Sequence, residues 1–344
     1  MIENNKMAED MSRKIDLLKF LAVVSIICAH CNTINEDSGI LNLMASYYLH
    51  AVGTIGVGLF LVLSGYLFYQ SDYKSHMKWK AYVKKKMIRI CPAWFFCGSL
   101  VYIYTIIRKS DFRSLGGWFL WMFGKGTYLY FIPALLACYA IFWFIYKNDK
   151  QVLFIMLLSV MSWLLTTFGI FPMEYAYVNI LNWVLFFAIG IILASQQSKH
   201  TINMVDGNKH SALKWAFVGS IALMLIILLV LCKNQIQIFY WSKGYLVFEL
   251  IAGVAFLGVA KFLLKSKFCS QLCKIGNSTL AIYLLHMPIA GIVANLCNYV
   301  DSFILTLLRP WLVLGITLVG ILICKWIVVK LKIGKWALPM IGLK

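Results

Sequence analysis

Long apolar runs, separated by short polar and basic links, dominate the chain from Leu17 onward. A helix needs about 20 consecutive apolar residues to cross the ~30 Å hydrocarbon core of a bilayer. By that measure ten runs qualify, at roughly 17–36, 50–70, 88–107, 128–146, 152–171, 178–197, 212–232, 244–264, 276–297 and 308–331. The stretch Gly116–Gly124, with Trp118 and Trp121, is too short to cross and reads as an interfacial or re-entrant segment. The first 16 residues are polar and of mixed charge. The run at Leu17 lacks the small-residue cleavage site of a secretory signal, so it is expected to be retained as the first span. No internal repeat, low-complexity segment or soluble domain interrupts the pattern. The expectation is an all-α, polytopic membrane bundle of about ten transmembrane helices. It is read as a single domain over residues 1–344, with a tail at 1–16.

Composition narrows the class. Of 344 residues, 62% are hydrophobic and 13% charged, and the mean hydropathy is +0.80. A soluble globule carries roughly 25% charged residues, and disorder requires low hydrophobicity, so both are excluded. The 32 Lys and Arg against 13 Asp and Glu leave a formal charge of +19. Such a balance often signals nucleic-acid binding. Here the basic residues sit between apolar runs, so the expected partner is the lipid bilayer and no nucleic acid. With the N-terminus inside, 25 of the 32 Lys and Arg fall in cytoplasmic segments. The positive-inside rule then places both termini in the cytoplasm. One outer loop resists, with Arg108, Lys109, Arg113 and Lys125. Most of the ten cysteines lie inside apolar runs, where they act as small hydrophobes. Cys269 and Cys273 share a polar link at a spacing that is neither CxxC nor part of a zinc set. Neither a disulfide framework nor a metal site is expected.

Ionisable residues inside a membrane are costly and point to function. His30 lies 13 residues past Leu17, about 20 Å from that end of its span, and His286 lies about 15 Å past Gly276. Both fall in the middle third of the bilayer. Lys19 and His30 share a helix face to within about 20°, and Asp16 lies roughly 40° from that line. A neutral imidazole in a dry site is a competent general base near pH 7. Across the cytoplasmic start of the third run, Lys84, Lys85, Lys86 and Arg89 form a basic cluster. Lys86 and Arg89 share a face at i, i+3, and an arginine can grip a phosphate bidentately. Juxtamembrane basic runs also set topology and bind anionic lipid, which suffices for Lys84 and Lys85.

Five segments in order resemble the integral-membrane acyltransferase-3 family. Ile15 to His30 (IDLLKFLAVVSIICAH) resembles its opening helix, in which an arginine precedes an essential histidine by this interval. Gly58 to Phe68 is similar to its phenylalanine–x–x–x–Ser-Gly element, at Phe60, Ser64 and Gly65. Lys84 to Trp94 resembles its paired-arginine motif, and Tyr128 to Tyr139 its His-Leu-Trp-Phe-Leu segment. Gly276 to Ile289 resembles its late Ser-x-x-x-Tyr-x-x-His-x-Pro helix. Lys19 and Lys86 stand where the family has arginines, which keeps the charge but loses the planar fork. Tyr128 and Tyr130 replace the family's histidine and tryptophan, so that segment's role does not carry over.

The resemblance implies transfer of an acyl group, acetyl in the usual case, from cytoplasmic acyl-CoA to a hydroxyl of a cell-surface or exported polysaccharide. It also implies a multi-pass protein of a bacterial cytoplasmic membrane, working beside glycan-assembly proteins, with acetyl-CoA as donor substrate and no metal. On this reading His30 is the general base or transient acyl carrier, and Tyr283 and His286 orient the reacting groups or donate to the oxyanion. Lys86 and Arg89 hold the CoA phosphates, and Ser64 and Lys19 line the donor path. Glu174 and Glu249, near the outer ends of their spans, are candidates for binding sugar hydroxyls. The pantetheine arm, roughly 15–20 Å extended, is long enough to bring a thioester from the basic cluster toward mid-membrane. A membrane transporter or exporter of a small polar molecule or glycan is the alternative, since carriers also place polar groups at the midplane. No matched pair of interrupted helices supports it.

Overall fold

A computed structural model of the chain describes residues 2–31, 39–75, 78–109, 115–200, 209–297, 300 and 302–343. Helices account for nearly all of them, and no strand occurs among the described residues. Eight helical stretches are long and apolar enough to cross a membrane: Ile40–Ser71, Trp79–Ile107, Tyr128–Ile145, Asp149–Thr167, Trp215–Lys233, Tyr245–Leu263, Thr279–Cys297 and Phe303–Lys330. Leu181–Gln197 is a shorter apolar helix. The first apolar run lies in α1 (Ile2–Cys31), a 30-residue helix that contains neither glycine nor proline. Within the described residues, each of the ten expected runs therefore falls on helix. Many of the apolar side chains point outward, among them Leu153, Phe154, Leu157, Met161 and Leu164 on one helix. A lipid-facing surface is the environment such a stripe requires.

Three differences from the sequence expectation concern where helices break. The second span begins at Ile40, as α2 (Ile40–Gly53), and continues after Thr54 as α3 (Ile55–Ser75). Residues 40–49 fall outside the expected run 50–70, and Asn42 and Ser46 there are buried. The third span begins earlier than expected, in α4 (Trp79–Lys109). Cys269 and Cys273 lie on a helix, α11 (Cys269–Asn277), and not in an irregular link. A turn at Ser278 separates it from α12 (Thr279–Cys297). The Gly116–Gly124 stretch forms α5 (Leu115–Met122), whose eight residues are too few to cross. Of the resistant basic loop, Arg113 and the side chains of Arg108 and Lys109 lie outside the described residues.

The chain divides into two compact units. One comprises Met1–Phe60 and Val205–Ile321. It contains α1, α2, the start of α3, α9 (Lys209–Lys233), α10 (Tyr245–Leu263), α11, α12 and most of α13 (Phe303–Lys330). Within it α1 packs against α2, α10, α11 and α12, and α9 packs against α2 and α10. The other comprises Leu61–Met204 and Leu322–Lys344. It contains the rest of α3 and α13, with α4, α5, α6 (Phe131–Ile145), α7 (Asp149–Thr167), α8 (Leu181–His200) and α14 (Gly334–Met340). There α3 and α8 meet backbone to backbone: a Cβ on Gly65 would lie 2.0 Å from Phe187 O, and one on Gly190 would lie 2.0 Å from Val62 O. Small residues that let helices approach this closely are the usual packing device where lipid removes the hydrophobic drive. Hydrogen bonds between α7 and α8 serve the same end, with Ser162 Oγ donating to Asn182 Oδ1 at 2.7 Å and Asn182 Nδ2 to Thr166 Oγ1 at 3.3 Å.

Candidate functional site

In the first unit, three glycines on neighbouring helices bring their backbones onto α1. A Cβ on Gly53 would lie 2.4 Å from Ala29 N, one on Gly56 2.5 Å from Ala22 O, and one on Gly276 2.0 Å from Asp16 O. Polar side chains lock the same contacts. Ser25 Oγ donates to Val52 O at 2.6 Å. The Asp16 carboxylate is shared, accepting from Lys19 Nζ at 2.9 Å and from Asn277 Nδ2 at 2.9 Å. The stripe Asp16, Lys19, His30 is therefore real, but the Lys19 ammonium is engaged with the carboxylate one turn away.

This packing sets His30 beside α12. The ring centroids of His30 and His286 lie 5.2 Å apart, and those of Tyr283 and His286 6.0 Å apart. His286 Nδ1 is 2.7 Å from Tyr283 O and 3.2 Å from Ile282 O. A peptide carbonyl only accepts, so Nδ1 carries the hydrogen, and in the neutral ring the lone pair sits on Nε2. Tyr283 thus orients His286 through its backbone carbonyl. His286 is 0% exposed, while His30 is half-buried.

The turn between α2 and α3 lies against this pair. Gly53 sits on the backbone of Ala29, next to His30. On the far side of the turn the Tyr245 hydroxyl lies 2.8 Å from Thr54 O and 3.0 Å from Glu249 Oε2. Glu249 is only 5% exposed. In a membrane core, backbone groups loosened at a helix break must be met by side chains or water. Ser25 of α1 and Tyr245 of α10 do this.

Arg309, which falls at the edge of the last expected run, is buried in α13 at 3% exposure, and its Nη2 donates to Cys297 O at 3.2 Å. One turn earlier on α13, the Thr306 hydroxyl donates to Asn42 Oδ1. The signal was present in the sequence as an arginine at the edge of a long apolar run, followed by a proline that shapes the helix there.

The second unit holds the remaining candidates. Lys86 Nζ lies over the rings of Tyr139 at 4.2 Å and Tyr82 at 5.3 Å. These belong to an aromatic cluster around Phe68 that includes Trp143, Tyr146 and Phe187. A cation over such faces is held without losing its charge. Arg89 is exposed on the same helix, three residues before Pro92. Ser64 is half-buried, one residue before the close-packing Gly65. Glu174 is exposed on a single 3₁₀ turn, Met173–Tyr175, and so differs from the buried Glu249 in its surroundings.

Fold and site together define a polytopic, all-helical membrane protein with two histidines facing one another from two of its spans. The family model described as an acyltransferase domain matches residues 12–329, a match that runs through both units. The chain belongs to the acyltransferase-3 family and is a membrane acyltransferase. No curated protein and no solved structure matches it.

Proposed function

We propose that the protein moves an acyl group, acetyl in the first instance, from cytoplasmic acyl-CoA to a hydroxyl of a cell-surface or exported polysaccharide. The meeting of His30 and His286 at 5.2 Å, one half-buried and one closed off, carries this reading. His30 takes the proton from the acceptor hydroxyl as that oxygen attacks the thioester carbonyl. The new C–O bond forms, the C–S bond breaks, and the proton passes to the CoA sulfur. His286, its tautomer set by Tyr283 O, orients His30 from behind. Arg89 and Lys86 bind the donor phosphates, and Ser64 and Lys19 flank the donor path. Glu174, exposed on the 3₁₀ turn between α7 and α8, is the acceptor-binding carboxylate in this reading. The excess of Lys and Arg on one set of links supports an orientation with both termini in the cytoplasm, of a bacterial cell membrane on the family resemblance.

The test uses purified protein in liposomes, labelled acetyl-CoA and surface glycan as acceptor. The wild type yields labelled ester. His30→Ala yields none while reaching the membrane at normal levels. Ester formation by His30→Ala at wild-type rates refutes the base assignment.

A further inference from the structure

The contacts of Tyr245 fix more than its own position. Its hydroxyl has a single proton, yet it lies at hydrogen-bond distance from two groups, Thr54 O at 2.8 Å and Glu249 Oε2 at 3.0 Å. A peptide carbonyl cannot donate. If the tyrosine proton goes to Thr54 O, the second contact is a hydrogen bond only when the proton comes from the carboxyl side. An ionised Glu249 would compete with Thr54 O for the one available proton. It would also be a carboxylate 95% removed from solvent in an apolar interior, with a single neutral partner. Such an arrangement is strongly unfavourable. The helices packed on α10 are α9 and α1. Among the described residues, Tyr245 is the titratable group that interacts with Glu249, and no cation is paired with it.

We propose that Glu249 is a neutral acid and a positioning residue: its proton completes a chain from Glu249 through Tyr245 to Thr54 O that holds the α2–α3 turn against His30. The chain ends on Thr54, and the residue before it, Gly53, seats the backbone of Ala29. Val52 O, two residues before Thr54, is gripped by Ser25 of α1. The turn is therefore clamped between α1 and α10, and the register of His30 against α12 depends on both grips. This inference rests on His30 being the base. It assigns Glu249 to the protein's own framework, where the sequence had suggested a sugar ligand.

The two roles make opposite predictions for an amide. Gln at this position donates to the Tyr245 oxygen as the neutral acid does. Glu249→Gln therefore keeps kcat and the KM for acetyl-CoA within about twofold of wild type. Glu249→Leu and Tyr245→Phe lower kcat by about tenfold or more with that KM unchanged, the mark of misplaced reacting groups. Infrared spectra at neutral pH show a protonated-carboxyl C=O band in wild type and in His30→Ala that is missing from Glu249→Gln. A Glu249→Gln protein as impaired as Glu249→Leu, or a carboxyl band that Glu249→Gln leaves unchanged, overturns the proposal. If His30→Ala proves active, the base assignment falls, and the infrared comparison still decides the state of Glu249. Should Glu249→Leu not accumulate, Tyr245→Phe and the infrared band carry the test.

Discussion

Adding one methyl group at Gly53 tests how His30 is placed. A Cβ there would lie 2.4 Å from Ala29 N, 2.5 Å from Ala29 Cα and 2.7 Å from Ala29 Cβ, where ordinary contact begins at 3.4 Å. The obstacles are backbone and a short side chain, so no rotamer change relieves them. Gly53→Ala must part α1 and α2 by about 1 Å, an overpacking strain that typically costs 1–3 kcal/mol. That displacement falls one residue from His30 and beside the 2.6 Å bond from Ser25 to Val52 O. A shift of about 1 Å at a reacting group can lower turnover by roughly 100-fold, so Gly53→Ala should lose about 10–100-fold in kcat. The controls are Gly253→Ala on α10 and Gly315→Ala on α13, where a Cβ meets nothing within 4 Å. Both should match wild type. The assay is ester formation from labelled acetyl-CoA, with membrane level and thermal stability measured in parallel. If Gly53→Ala turns over as fast as Gly253→Ala, close approach of α1 to α2 does not set the catalytic geometry, and the argument fails.

Further outcomes follow from the cation and thiol environments. Arg89→Gln should raise the KM for acetyl-CoA about 10-fold or more with kcat kept, because charge-assisted bonds to phosphate contribute about 1.5–3 kcal/mol; an unchanged KM removes Arg89 from the donor site. Lys86→Met, which fills the space between the Tyr82 and Tyr139 rings without a charge, should raise the same KM while leaving the melting temperature nearly unaltered, and a steep loss of stability with normal KM would mark Lys86 as a packing residue only. Burial first, then the Cys269 thiol and the Asp16 carboxylate, push the Cys273 thiol up to about 11. A raised value means less thiolate at a given pH, so alkylation of Cys273 at pH 8, followed by peptide mass spectrometry, should run about 100-fold slower than for a thiol at 9. Its rate should rise tenfold per pH unit to about pH 11, and a plateau by pH 9.5 would contradict this environment.

The length of each apolar run was enough to locate the membrane helices, because nothing else in a chain satisfies about 20 residues of backbone in lipid. Helix breaks were hidden for the complementary reason. Residues 40–49 include the polar Asn42 and Ser46, and only the structure shows Asn42 meeting Thr306, a partner 264 residues away. The histidine pair was partly legible: depth along each span put His30 and His286 at one level, and the family motifs marked both. Their orientation was not, since it depends on Tyr283 O and on glycines whose role emerges only when a second helix is in place. Lys86 shared a predicted face with Arg89, yet one is held by tyrosine rings and the other stands in the open. Glu174 and Glu249 looked alike as carboxylates near span ends, and burial separates them. Periodicity cannot report what stands on the other side of a helix.

Every glycine that admits a neighbour onto α1 belongs to the neighbour: Gly53, Gly56 and Gly276. The space needed for close approach is thus supplied from outside, and α1 runs from Ile2 to Cys31 without a glycine or proline of its own. A continuous helix of that kind behaves as a stiff rod, with its bonded ladder intact along its length. Asp16, clasped by Asn277, and His30, seated beside Gly53, lie on this rod about 21 Å apart. A push along the axis at the carboxylate end is delivered to the imidazole with little lost to bending. The histidine proposed as the base is in this sense mechanically connected to the opposite end of its span.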